Sequence, residues 1–285
     1  MENTQSNNPL SGFFRQPKVY ITLPSGGDFY PPESLDLPEN KEIPVMAMTA
    51  KDELTMKTPD ALLNGQATVD VIKSCVPSIK DPWKMPSIDL DAVLIAIRIA
   101  TYGETLTIET KVPKIGDEKD FQIDLRQILN KMLSTKFVNE TWVNNLLVKI
   151  RPLTYREFTD SSMRTFEEQR MFGIVNDQEL PDSEKLAKFN ESFRKLTNVT
   201  IDVLTQSVYS ITAGEQEVTN HEHIKEFIEN TDKDFFNGVT KHLEEQRDKF
   251  KIEPLKATCS KDEIERGAPE SFEVPITFDQ SNFFG

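Results

Sequence analysis

From Asp89 to Tyr102 the chain reads DLDAVLIAIRIATY, with Val93, Leu94, Ile95, Ile97 and Ile99 spread round a helix rather than along one stripe. A helix that is apolar on nearly every side is stable only where other elements cover it, so this segment predicts the centre of a domain. Gly103 follows at once and suits a C-cap, since glycine readily takes the left-handed backbone that ends helices. Whatever else the chain builds must supply layers around this rod.

The flanking patterns supply them. Lys18 to Leu23 alternates Val19, Ile21 and Leu23 against Tyr20 and Thr22, a strand pattern, and Pro24-Ser25-Gly26-Gly27 then turns. Ile43 to Met48 reads as a second strand, and a helix opens at Thr49 with Asp52 and Glu53 in its first turn. Thr58-Pro59-Asp60 opens another, and Gln66 to Cys75 continues as a helix with Val69, Ile72 and Val76 on one face. Trp83 lies in the Pro-bracketed loop KDPWKMP. Leu106–Val112 and Phe121–Leu125 predict a hairpin, Leu129–Leu147 is helical or mixed, and Leu147–Leu153 is a strand.

Thr154 and Glu157 form a capping-box pattern that opens a helix to about Phe172. A turn at Pro181-Asp182-Ser183 starts the longest helical stretch, from Glu184 to about Ala213, ended by Gly214. Asn220 caps a further helix, and Thr231 or Asp232 caps one running to Phe250. Strands return at Ile252–Thr258 and Ser271–Phe278. The order predicts an α+β fold in four parts: a flexible N-terminal arm over 1–17, a mixed body over 18–153, a mostly helical insertion over 154–251, and a C-terminal β segment over 252–285 that returns to the body.

Charge and composition narrow the function classes. A formal charge of −14 over 285 residues, without any Lys/Arg block, makes nucleic acid a poor partner. No apolar run reaches the roughly 20 residues of a membrane span, and the polar start MENTQSNNPLSGFFRQPK lacks an apolar signal core. Only Cys75 and Cys259 occur, too few for a disulfide framework, which points to a reducing compartment. His221 and His223 flank Glu222 at spacing i and i+2, not the i and i+4 that a helical zinc pair needs, and His242 stands alone. Phosphate-cradling glycine loops and nucleophile elbows are absent from the sequence, and no pair among its 47 Asp and Glu stands out as a dyad. The expectation is a protein without enzymatic activity or cofactor. A metal-dependent carboxylate hydrolase is the distant rival.

Aromatic side chains in turns and at the chain end are the candidate contact residues. Phe13 and Phe14 are the only aromatic groups of the arm. Leu23, Phe29 and Tyr30 bracket the glycine turn, Trp83 sits in its loop, and Phe278, Phe283 and Phe284 crowd the C-terminus. Each ring either closes a core of this chain or docks on a neighbour, and burial stabilises by roughly 2–3 kcal/mol per ring in either case.

In order along the chain stand VYITLPSGGDFYPP, IPVMAMTAKDE, TPDALLNG, DLDAVLIAIRIATYG and ITFDQSNFF. This succession resembles the baseplate hub protein family of T-even-type contractile-tailed bacteriophages, although nothing from about Phe158 to Phe250 takes part in the likeness. The resemblance implies a structural, non-enzymatic virion protein. Its partners would be other phage baseplate, hub and tail proteins, with several copies around the tail axis and no membrane insertion. The place would be the tail baseplate, reached from the host cytoplasm during assembly. An assembly chaperone absent from the finished particle is the alternative.

Relatives in that family often carry two CPxCG knuckles, which together can hold structural zinc. Here the first knuckle position reads Val112-Pro113-Lys114-Ile115-Gly116 and the second retains only Cys259. Val112 and Ile115 cannot ligate, so the expectation is a degenerate zinc-ribbon-like pair of β hairpins held by apolar packing, with no metal.

Overall fold

A computed structural model of the chain describes residues 9–10, 13–57, 64–177, 181–276 and 283, with only the backbone for 172–177 and 182. The apolar rod forms as expected. Helix α3 (Ser87–Tyr102) buries Ile88, Ala92, Val93, Leu94, Ile95, Ala96, Ile97, Ile99 and Ala100. It ends at Gly103, whose φ of 94° lies in the region that favours glycine and whose N–H donates to Ile99 O.

Strands β1 (Pro17–Ile21) and β2 (Ile43–Met46) pair antiparallel, with Val19 opposite Val45 and Ile21 opposite Ile43, and pack on α3. Helix α1 (Ala50–Met56) starts in a reciprocal capping box between Thr49 and Asp52. It packs on α2 (Gln66–Cys75), which buries Val69, Val71 and Ile72. Strands β3 (Thr105–Lys111) and β4 (Glu118–Asp124) form a hairpin in full register. The carboxylate of Asp124 then caps α4 (Leu125–Ser134), which closes over α3. These elements share one core, joined from the far end of the chain by Ile252, Leu255, Ile276 and the buried ring of Phe283.

A second core lies around a four-stranded antiparallel sheet of β5 (Glu140–Val143), β6 (Leu146–Ile150), β7 (Val208–Ala213) and β8 (Gln216–Val218), in that order. Asn144 and Asn145, both at positive φ, make the tight turn between β5 and β6. Between β6 and β7 the chain runs out along α5 (Tyr155–Asp177) and back along α6 (Asp182–Ser207). Helices α7 (His221–Asn230) and α8 (Lys233–Lys249) follow β8. Val148, Ile150, Leu204, Val208, Ile211, Ile224, Ile228, Phe235 and Val239 fill this core. The chain ends in β9 (Leu255–Thr258), the short helix α9 (Lys261–Glu265) and β10 (Ser271–Val274), with β9 and β10 antiparallel.

Two expectations need correction. The helix expected to reach Ala213 stops at Ser207, and Val208 to Ala213 is strand β7. The run VYSITA is rich in β-branched and aromatic residues, and β6 stands ready to pair with it, so sheet pairing overrides helix continuation. Leu125 is the first residue of α4 rather than the last of a strand. The span Leu129–Leu147 resolves into the end of α4, strand β5 and the start of β6. The four-stranded sheet also joins strands from both sides of residue 154. The helix expected at Thr58-Pro59-Asp60 lies outside the described residues.

Candidate functional site

The polar groups most removed from water are ties between elements. Asp89, in the first turn of α3, is fully buried. Its Oδ1 accepts from Ser25 N–H at 2.7 Å, and its Oδ2 accepts from Ser25 Oγ at 2.6 Å and Tyr30 Oη at 3.0 Å. Burial pushes its carboxyl up to about 6, although these bonds pull the other way. Burial, then the charge of Asp89, raises the Tyr30 phenol. The glycine turn and the FYPP segment are thus bolted to the central helix. Asp91, in the same helix, is also pushed up to about 6 by burial alone.

A second tie fixes the end of the arm. The Arg15 guanidinium donates to Ser74 O and Ser74 Oγ at 2.6 Å each, to Asp52 Oδ2 at 3.2 Å and to Ala47 O. Burial works against the charge on Asp52, but bonds from Thr49 and Ser74 and the Arg15 charge hold its carboxyl below the usual range. Neighbouring Cys75 has its thiol pushed up to about 11 by burial, far from a reactive thiolate.

Trp83 forms the joint between the two cores. Its ring stacks on Tyr155 with centroids 5.4 Å apart, and the Arg156 guanidinium lies 3.7 Å from its centroid. Gly65 passes so close that a Cβ there would come within 2.9 Å of Tyr155 Oη and 3.2 Å of the indole. Backbone bonds from Ser87 N to Leu153 O and from Tyr155 N to Met85 O lace the same joint. The expected capping box is present: Glu157 accepts from Thr154 N at 2.8 Å and also holds Arg151 at 2.7 Å. Phe29, at a φ of 68°, packs edge-on against Phe137 at 5.6 Å, and Phe137 neighbours Phe250 at 6.5 Å. Leu23 is buried in the first core.

The candidate contact residues therefore divide. Leu23, Phe29, Tyr30, Trp83 and Phe283 all serve internal contacts. Phe13 and Phe14 stand exposed. Phe278 and Phe284 lie outside the described residues. Sequence reasoning passed over the large apolar side chains that are exposed on regular elements: Trp142 on β5, Phe166 on α5, Leu186 and Phe193 on α6, and Tyr209 on β7. For Leu186 and Phe193 the signal was available, since a seven-residue spacing places both on one helix face.

The hairpins β3–β4 and β9–β10 meet. Lys119 pairs with Glu263 at 3.1 Å, Arg266 with Asp117 at 2.6 Å, and the rings of Phe121 and Phe272 touch edge-on at 6.1 Å. Val112 is buried, Ile115 and Cys259 are half-buried, and no group of three or more His, Cys, Asp or Glu side chains among the described residues is placed to hold a metal. The residues present do not fit a zinc ion. His242 bonds Val138 O at 3.0 Å, while His221 and His223 are exposed. No described helix is long and apolar enough to cross a membrane.

No curated protein and no solved structure matches the chain. The model of one family, described as T4 bacteriophage base plate protein, matches residues 30–272. That span takes in the second core, most of the first, the joint at Trp83 and the long helical pair, and the chain belongs to the T4 bacteriophage base plate protein family.

Proposed function

We propose that the protein is a structural subunit of the baseplate hub, retained in the finished particle and acting through protein–protein contacts rather than catalysis. One observation carries this reading. The unusual polar groups, Asp89 and Arg15, tie the fold together, while large apolar side chains stand out on its regular elements. That distribution suits a body that is rigid inside and adhesive outside, because interfaces draw most of their affinity from a few large aromatic and aliphatic anchors. Division into a body and an inserted unit belongs to the same proposal. Residues 137–250, gathered around the second sheet, are the insertion, and the C-terminal strands return to the first body.

The test is quantitative mass spectrometry of purified particles beside unassembled lysate. A fixed ratio to the other baseplate proteins is expected. Abundance in lysate with absence from particles would instead identify an assembly chaperone.

The paired hairpins extend this proposal. We read β3–β4 against β9–β10 as a metal-free counterpart of a zinc-ribbon pair, supported by the contacts at Lys119, Asp117 and Phe121. Stoichiometric zinc in protein purified without chelators would sink that reading.

A further inference from the structure

Asparagine is followed by glycine at two places in the chain, Asn64-Gly65 and Asn237-Gly238. Such a pair can close on itself, because glycine has no Cβ to keep its nitrogen away from the asparagine carboxamide. Whether the ring closes depends on how the backbone is held, and the fold holds the two pairs differently.

Asn237 and Gly238 lie inside α8. There the Gly238 N–H donates to the carbonyl four residues back, and the helix tilts the Asn237 side chain toward its N-terminus, away from that nitrogen. Asn64 and Gly65 instead form the turn that leads into α2. Asn64 is exposed, and its Oδ1 accepts from Gln66 N–H at 3.0 Å. That bond folds the carboxamide over the intervening Gly65 peptide and draws electrons from Cγ. Among the described residues the Gly65 N–H donates to no acceptor, so no hydrogen bond competes for its nitrogen.

We propose that Asn64 is a deamidation site, and that the isoaspartate formed there loosens the joint between the two cores. Hydroxide takes the Gly65 N–H proton. The nitrogen then bonds to Asn64 Cγ, the Cγ–Nδ2 bond breaks, and ammonia leaves with a proton returned by water. Water opens the resulting succinimide on either side. Attack at Cγ restores the ordinary backbone and leaves aspartate. Attack at the main-chain carbonyl carbon of residue 64 leaves the chain running through the side chain, as isoaspartate. The net change is one water gained and one ammonia lost, with no oxidant or reductant.

The two products act differently on the joint. Aspartate keeps an acceptor for Gln66 N–H and adds negative charge at a helix N-terminus, where it is favourable. Isoaspartate lengthens the main chain by one methylene immediately before Gly65. No slack exists there, since even a Cβ on Gly65 would come within 2.9 Å of Tyr155 Oη and 3.2 Å of Trp83. The added length is therefore taken up where the indole, the phenol and the turn meet. None of this depends on a place in the hub.

The test incubates the full chain at mildly alkaline pH, then combines peptide mass mapping with isoaspartyl methyltransferase labelling. Isoaspartate should accumulate at residue 64 at least ten-fold faster than at 237, and faster still as pH rises. In urea, where both pairs lose their folded settings, the two rates should converge. A Trp142→Ser background leaves Trp83 as the one tryptophan. Its fluorescence should shift in step with isoaspartate at residue 64. It should stay constant on incubation of Asn64→Ser, which has no carboxamide to close the ring, and should match wild type in freshly purified Asn64→Asp. Equal folded-state rates at the two pairs, or an unmodified Asn64, would overturn the deamidation site. Conversion at residue 64 with Trp83 fluorescence unchanged would overturn its effect on the joint.

Discussion

The two cores of this molecule differ in where they place charged side chains. Around α3, the first core draws its chemically distinctive groups inward: Asp89 fastens Ser25 and Tyr30, Arg15 is fastened by Ser74 and Asp52, and Phe283 comes back from near the chain end to be buried. The second core's buried polar side chains are neutral, with Ser210 donating to Glu217 and Gln246 accepting from Val138 N–H, and its elements hold Trp142, Phe166, Phe193 and Tyr209 out in water. A buried polar network specifies one arrangement of loops, because each unmet group is costly. Exposed rings specify nothing within the chain. The first core thus fixes shape, and the second carries surface available to neighbours.

Substitutions can break or sharpen this contrast. The largest effects belong to the first core. Asp89→Ala leaves Ser25 N–H and Tyr30 Oη without their acceptor in a buried place, and should destabilise by about 3–5 kcal/mol in urea unfolding. Phe283→Ala should cost about as much, through the cavity it leaves. A loss under about 1 kcal/mol for both would erase the distinction between the cores.

The joint comes next. Gly65→Ala combines a φ of 77° with a 2.9 Å approach to Tyr155 Oη, and should cost about 1–3 kcal/mol. Trp83 fluorescence should shift if the ring moves off Tyr155, and an unchanged spectrum would mean that the joint adapts elsewhere.

Acid separates the ties by sign. Asp89 titrates at about 6 in the folded protein against an ordinary 3.8. Between these values the folded state holds a proton that the unfolded state lacks, so this group's contribution to stability rises as pH falls from 6 toward 4. Glu157 behaves oppositely. Burial raises its carboxyl, but Arg151 and Thr154 together hold it below the usual range, so its stabilisation is present above about pH 4.5 and is lost on further acidification through its folded value. Over pH 7 to 4, wild type should gain on Asp89→Asn by about 1–3 kcal/mol, since each tenfold difference in proton affinity between the folded and unfolded states is worth about 1.4 kcal/mol. Parallel profiles for the two proteins would count against a buried, ionisable tie.

The smallest effect is expected at the second core's surface. Trp142→Ser, at a side chain 70% exposed, should change stability by no more than about 0.5 kcal/mol. A loss of several kcal/mol there would show that the ring closes a core after all.

The central helix, its Gly103 stop, the helix start at Thr49, the Thr154 capping box and the β3–β4 hairpin were legible because each depends on a few neighbouring residues. Strand β7 was not, because its pairing partner β6 lies some sixty residues earlier and only tertiary contact decides between helix and strand for VYSITA. The contact residues were sought among aromatic groups in turns and at the C-terminus. Asp89 and Phe137 claim those of the glycine turn, and Tyr155 claims Trp83, through contacts that no local spacing announces. Apart from Phe13 and Phe14 of the arm, the most exposed rings sit within regular helices and strands, where a sequence pattern reads first as core.

The joint at Trp83 has a mechanical consequence. Helix α5 is rooted there by Tyr155 and runs 23 residues outward, about 35 Å at 1.5 Å per residue. A rotation of about 10° at the root would carry the far end of such a rod through about 6 Å, more than one helical turn's rise. An indole in contact with both a phenol ring and a guanidinium therefore stands where a fulcrum would, and an adjustment made there would be enlarged at the far end of the long arm.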